Sequence, residues 1–324
     1  MEVDSVQALD KKRLSIIDCG TNTFNLLVVD LHGDQWELVF SNKMPVKIGS
    51  GGFDKAVITE ARMVRALDVL VHYQQVNQML AVDEVRVAAT SAVRDASNKN
   101  EFIRLVKQHT GWEVDVISGD GEATLIYEGV KQSGDLGVEP VLIMDIGGGS
   151  TEWIIANNQK IFWKKSYPLG VSRLFERINP EERLSRENMT ELRKVLDQQL
   201  QDLKAALSQF PCRHLVGASG SFDTLLDIYL NANPEPVHFQ NPNLQEISIS
   251  AFPAIHIWLM GSTLKERINH PAIPTIRAEY MPMASFLMKY ILDIQKFDKI
   301  FRSAFALKEG LMQRVLANRP LTFE

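Results

Sequence analysis

Two stretches more than a hundred residues apart repeat one pattern: Ile16-Ile17-Asp18-Cys19-Gly20-Thr21-Asn22-Thr23 and Ile143-Met144-Asp145-Ile146-Gly147-Gly148-Gly149-Ser150-Thr151-Glu152. Each reads as an apolar strand, an Asp, a turn of Gly, Ser, Thr or Asn, and a second apolar strand (Phe24 to Val29, Trp153 to Ile155). A buried strand running into such a turn leaves consecutive main-chain amides free to wrap an oxyanion, while the Asp at its mouth can hold a cation. Two copies imply a duplicated fold whose halves face one phosphate chain from opposite sides.

At 324 residues the chain is long for a single core, and two domains are expected. Hydrophobic residues make up 45% and charged residues 23%, which fits a globular chain rather than a disordered or fibrous one. The start from Met1 to Arg13 is polar and has no apolar core, so a signal peptide is not expected. No run of about eighteen apolar residues occurs, which argues against a membrane span or membrane partner. Cys19 and Cys212 form no disulfide or metal pattern, and the seven histidines have no ligand spacing. Cytoplasm is the simplest compartment. A net charge of −5 argues against a nucleic-acid polymer as partner, although residues 251–324 carry ten Lys and Arg against six Asp and Glu. An anionic ligand would need a local cationic path.

The first half opens with three strand-like runs, Arg13 to Asp18, Phe24 to Asp30 and Trp36 to Asn42, arranged as a meander. A helix capped by Thr59 follows to about Met79, then a strand at Val85 to Ala89, a helix around Glu101 to His109, a strand at Trp112 to Ile117 and a helix over Glu122 to Lys131. This alternation predicts a mostly parallel sheet with helices on both faces. Residues 132–140 read as a linker. Beyond it come strands at Val141 to Asp145, Glu152 to Asn157 and Lys160 to Tyr167, and a helix from Ser172. One long helix is expected from Ser185 to about Gln209, then a strand at His214 to Val216. The remainder reads as mainly helical, with a strand at Lys299 to Ser303 and a closing helix from Leu307 to Ala317.

Three consecutive glycines after a buried strand weaken that strand and add nothing to a core, so close approach of a ligand to the backbone explains them better than folding does. Asp145 and Glu152 are the cation candidates, since magnesium takes one or two carboxylates plus substrate phosphates. For Asp145 the alternative is a cap on the turn amides. Arg94 follows a strand end, where it can clamp phosphate or pair with Asp95 or a neighbour. Glu122 opens a helix after a glycine-flanked approach and can be a positioned base or merely complement the helix dipole.

Together with Ala89-Thr90-Ser91-Ala92-Val93-Arg94, Ile117-Ser118-Gly119-Asp120-Gly121-Glu122-Ala123, Gly217-Ala218-Ser219-Gly220-Ser221, Arg277-Ala278-Glu279 and Leu307-Lys308-Glu309-Gly310-Leu311, the two repeats resemble the exopolyphosphatase/guanosine pentaphosphate phosphohydrolase (Ppx/GppA) family over about residues 13 to 318. The resemblance implies an α/β, two-domain actin/hexokinase-like (ribonuclease H-like) duplicated fold with an interdomain cleft. The expected domains are residues 1–132 and 133–305, with a C-terminal helix in 306–324 packing back on the first. It implies magnesium-dependent hydrolysis of the terminal phosphate of inorganic polyphosphate, or of the 5′ phosphate of guanosine pentaphosphate (pppGpp), by a homodimer.

By motif match Glu122 is the catalytic base and Asp145 and Glu152 lie at the metal. Gly20, Thr21, Asn22, Thr23, Arg94, Gly147, Gly148, Gly149 and Ser150 hold phosphates. Three departures stand out: Asn25 where the family often has Arg, Gly121 in place of a second Glu beside Glu122, and an expected lack of the added phosphohydrolase-like domain of the longer members. Exopolyphosphatase is favoured and pppGpp hydrolase is the alternative. A sugar kinase of the same superfold is weakened by the match around Glu122, and a non-catalytic polyphosphate or nucleotide sensor draws its support from Asn25.

Overall fold

A computed structural model describes residues 12–33, 35–233 and 237–321. The polar start as far as residue 11, and the last three residues of the expected 306–324 segment, lie outside the described residues. The first half is β1 (Lys12–Cys19), β2 (Thr23–His32), β3 (Gln35–Pro45), α1 (Glu60–Met79), β4 (Glu84–Ala89), α2 (Ser91–Arg94), α3 (Lys99–Thr110), β5 (Val114–Val116) and α4 (Gly119–Ser133). The second half begins with β6 (Val141–Ile146), β7 (Thr151–Ala156), β8 (Ile161–Tyr167), α5 (Val171–Ile178), α6 (Arg186–Gln199), α7 (Gln201–Gln209), β9 (His214–Ala218) and α8 (Ser219–Ala232). It ends with β10 (Leu244–Ile247), α9 (Phe252–Gly261), α10 (Leu264–Asn269), α11 (Thr275–Ala278), α12 (Met281–Ile294), β11 (Lys299–Ser303) and α13 (Leu307–Leu316).

Two sheets result, ordered β3-β2-β1-β4-β5 and β10-β11-β9-β6-β7-β8. Both are mixed. In the first, β3-β2-β1 is an antiparallel meander and β1-β4-β5 is parallel. In the second, β8-β7-β6 is the antiparallel meander and β6-β9-β11 is parallel, with β10 antiparallel at the edge. The mostly parallel sheet expected from the alternation is therefore corrected. Short connections make each opening trio of strands pair antiparallel, and only strands reached through a helix can run parallel. The single long helix expected after Ser185 is two helices broken at Leu200, and β10 falls in the region expected to be helical.

Strands β1 and β6 are central in their sheets and buried nearly throughout, which is why they read as unbroken apolar runs. The core forms layers. α1 and α3 cover one face of the first sheet through Leu70, Tyr73, Phe102 and Val106. The opposite faces of the two sheets share a middle cluster containing Leu14, Ile16, Ile143 and Val216 with Leu125, Ile126 and Leu311 of α4 and α13. The outer face of the second sheet is buried by helices including α6, α8 and α12. In the middle layer α4 and α13 lie against each other, α4 also touches β7 and β8, and α13 touches β1. No helix among the described residues is long and apolar enough to cross a membrane.

Candidate active site

The two repeats become equivalent hairpins, β1-β2 and β6-β7. Asp18 pairs across the ladder with Asn25 on β2 and Ala88 on β4, and Asn25 pairs with Lys43 on β3. Asp145 pairs with Glu152 on β7 and Ala218 on β9, and Glu152 pairs with Ser166 on β8. The rows Ala88-Asp18-Asn25-Lys43 and Ala218-Asp145-Glu152-Ser166 are the same cross-section of each sheet, taken one residue from the hairpin turn. Period-two alternation puts all members of a row on one face.

The turns are equally tight. A Cβ on Gly20 would stand 3.0 Å from the Thr23 carbonyl, and one on Gly147 would stand 3.0 Å from the Ser150 carbonyl. The amides of Thr21, Asn22, Gly148 and Gly149 find no main-chain acceptor among the described residues, as an oxyanion cradle requires. The turns also meet each other. A Cβ on Gly148 would lie 2.8 Å from the Asn22 side chain, and one on Gly149 would lie 2.7 Å from the hydroxyls of both Thr21 and Ser91. The expectation that a ligand explains the glycines better than folding needs amending: the opposite turn already occupies the space that side chains on Gly148 and Gly149 would fill, and Gly147 is confined by the Ser150 carbonyl of its own turn. Ser172 Oγ donates to Asn22 Oδ1 at 2.8 Å, fastening the first turn to α5.

Gly20 to Thr23, Glu122, Asp145, Gly147 to Ser150 and Glu152 all line one cavity of about 500 Å³ between the sheets. Arg94 is the exception among the expected site residues. It borders an adjoining hollow with Ser118, Gly119, Ser150 and Ser166.

Glu122 lies one turn inside α4, which begins earlier than the sequence suggested because Ser118 caps it by accepting from the Gly121 amide at 3.1 Å. The Glu122 carboxylate accepts from Arg94 Nη1 at 2.7 Å, while the same nitrogen donates to the Ile117 carbonyl at 2.9 Å. The side chain therefore does more than complement the dipole of the first turn, in which it lies. Of the two readings for Arg94, the ion pair is present, chiefly with Glu122 and more loosely with Asp95 at 3.5 Å. Burial pushes the Glu122 carboxyl up to about 7, with Asp145 and Asp18 adding to the rise and Arg94 opposing it.

Its neighbours behave alike. Burial pushes Asp145 up to about 6, opposed by a hydrogen bond from Ser219 and reinforced by Asp18. Burial also raises Asp18 to about 6, opposed by Asn25 Nδ2, which donates to Asp18 Oδ2 at 2.9 Å. Glu152 is driven well above the usual carboxylate range by burial and then by Glu122 and Asp145, although Ser166 Oγ donates to it at 2.6 Å. Five carboxylates line the cavity (Asp18, Glu122, Asp145, Glu152 and Asp223) against three cations (Lys43, Arg277 and Lys308). Asp18 Oδ1 is buried with no hydrogen-bond partner among the described residues. A set of oxygen donors this short of positive charge suits a hard divalent cation shared with phosphate oxygens. No cluster of three or more His, Cys, Asp or Glu with metal-holding geometry occurs among the described residues.

Lys43, Ser166, Asp223 and Lys308 line or border this site without having been singled out as site residues, whereas Asp18 was legible at the mouth of the first turn as the counterpart of Asp145. Lys43 and Ser166 belong to third strands with no local motif, and only the register of each meander places them.

Two sheets of matching topology, each presenting an Asp-bearing hairpin to a common cleft, define a duplicated protein of the actin/hexokinase-like (ribonuclease H-like) type. The Ppx/GppA phosphatase family matches residues 27–319, and the chain belongs to that family. An exopolyphosphatase from Cytophaga hutchinsonii is 33% identical and superposes with a TM-score of 0.92, covering 96% of this chain and 100% of that one. A Ppx/GppA family member from Aquifex aeolicus shares the fold at 23% identity and a TM-score of 0.77, covering 95% of this chain and 98% of that one. A guanosine-5′-triphosphate,3′-diphosphate pyrophosphatase from Vibrio cholerae is 27% identical over 311 residues, which are 96% of this chain. The chain spans about 60% of the length of the curated relatives it matches.

Proposed function

We propose that this chain is a magnesium-dependent exopolyphosphatase, removing the terminal phosphate of inorganic polyphosphate. The observation that carries the reading is the convergence, on one cavity, of a buried carboxylate held by an arginine and two turns with free amides. The 33% identical structure of a protein described as an exopolyphosphatase supports the same choice. Phosphoryl transfer needs positioning and charge neutralisation more than covalent chemistry, and this cavity offers both.

In this scheme the turn amides and the hydroxyls of Thr21, Thr23 and Ser150 orient the terminal phosphates. Glu122 accepts a proton from a water molecule as its oxygen attacks the terminal phosphorus. The phosphoanhydride P–O bond breaks, and the electron pair leaves with the shortened chain. Arg94 holds the Glu122 carboxylate in place to take that proton and offsets charge beside it. Asp145 and Glu152 would hold magnesium, which supplies charge neutralisation on phosphate oxygens when bound.

Glu122→Gln should bind polyphosphate normally and lose about a hundred- to ten-thousand-fold in kcat, the usual worth of a positioned base. Phosphate release from polyphosphate with magnesium, measured beside binding, checks this; near-normal turnover in the variant would remove Glu122 from the role.

The second reading is hydrolysis of the 5′ phosphate of pppGpp. One observation favours it: beyond the turns the cavity wall becomes apolar at Pro274, Ile276, Tyr280 and Met281, a surface on which a base could rest. The specificity constants for long polyphosphate and for the nucleotide separate the two.

A further inference from the structure

The row across the first sheet ends on a cation that the scheme above leaves unused. Asp18, Asn25 and Lys43 are direct neighbours on β1, β2 and β3. Asn25 is neutral and bound to Asp18. Of the three cations lining the cavity, Arg277 is committed to Thr224 Oγ1 at 3.0 Å and Asp223 Oδ2 at 3.4 Å, and Lys308 is paired with Glu309. The Lys43 side chain makes no hydrogen bond or ion pair among the described residues, and the residue is exposed where it lines the cavity.

We infer that Lys43 binds the uncleaved phosphates of the substrate and sets its affinity rather than its rate of cleavage, an inference that rests on the phosphoanhydride-hydrolase reading above. The placement of the cations points the same way. Lys43 lines the main cavity together with Arg277 and Lys308, whereas Arg94, the cation bonded to Glu122, borders the adjoining hollow. Lys43 is thus separate from the arginine that holds the base.

The test compares the unaltered chain with Lys43→Ala, Lys43→Gln, Lys43→Arg and the pair Lys43→Ala/Asn25→Arg, using tripolyphosphate and long-chain polyphosphate with magnesium. Binding is measured separately in a Glu122→Gln background. Losing one charge-assisted contact should raise KM, and Kd in that background, about ten- to a hundredfold in the Ala and Gln variants. The kcat should stay within about threefold, and KM should depend less on added salt. Lys43→Arg should stay near the unaltered value. Asn25→Arg should recover most of the loss, because cross-strand neighbours stand about 5 Å apart and the row needs one cation from either strand. An unchanged KM in the Ala and Gln variants, a loss confined to kcat, or no recovery by Asn25→Arg would each overturn the inference. If the unaltered chain releases no phosphate from any phosphoanhydride, it is the reading beneath it that fails.

Discussion

Arg94 and burial pull Glu122 in opposite directions. Burial favours the protonated acid, while the guanidinium at 2.7 Å favours the carboxylate, and the balance lies at about 7. A general base works only when deprotonated, so activity should fall as pH drops through that value and level off above it. Replacing Arg94 with Met leaves burial unopposed. The acid limb of kcat/KM should then move upward by about one to two pH units, from a contact worth about 1.5–3 kcal/mol. Arg94→Lys, which keeps the charge but loses the planar donor fork, should fall between the two. An acid limb that stays put in Arg94→Met would mean that Glu122 is not the titrating base. Pairs of this kind are poorly legible in sequence: Arg94 and Glu122 are 28 positions apart. Each could be nominated from its own motif, but whether Arg94 clamped phosphate or carboxylate depended on how α2 faces α4.

Helix propensity alone would misjudge two glycines in the middle layer. Gly129 of α4 and Gly310 of α13 are helical, where Ala ordinarily gains about 1 kcal/mol over Gly. Here a Cβ on Gly129 would fall 1.9 Å from the Ala306 carbonyl, and one on Gly310 would fall 1.9 Å from the Leu125 carbonyl. The obstruction is backbone in both cases, so it cannot swing aside. Gly310→Ala should therefore destabilise the protein by about 1–3 kcal/mol, the range for overpacking, in a chemical denaturation measurement. It should also lower kcat, because α4 carries Glu122; a stabilised variant would refute the close contact. At this scale the sequence revealed most elements, and their boundaries shifted for physical reasons. α4 starts at Gly119 because Ser118 caps it. The helix expected from Ser185 breaks at Leu200, a buried residue that no propensity marks. Edge strand β10 is four residues long and stabilised by pairing with β11, a contact with no local signature.

At the scale of the whole molecule, the cavity stores like charge. Asp18, Glu122, Asp145 and Glu152 are buried, and each is raised first by burial. The duplication was legible because both hairpins bear their Asp in the motif itself. That the two halves bring these acids within range of one another follows only from the middle layer that joins the sheets. The consequence can be measured without any substrate. A carboxyl raised in the folded state binds its proton more tightly there than in the unfolded chain. Its contribution to stability is full below the unfolded value and disappears as pH rises through the folded one. For Asp145, held at about 6 instead of 3.8, the difference is about 3 kcal/mol. With divalent cations chelated, the melting temperature should accordingly rise as pH is lowered from 8 to about 5. Magnesium should raise it most at pH 8, where the carboxylates are charged and free to take a cation, and least at pH 5. Asp145→Asn should reduce the pH dependence and weaken the response to magnesium together, since this group contributes to both. A magnesium response that survived intact in Asp145→Asn would place the ion elsewhere, whatever the activity of the variant.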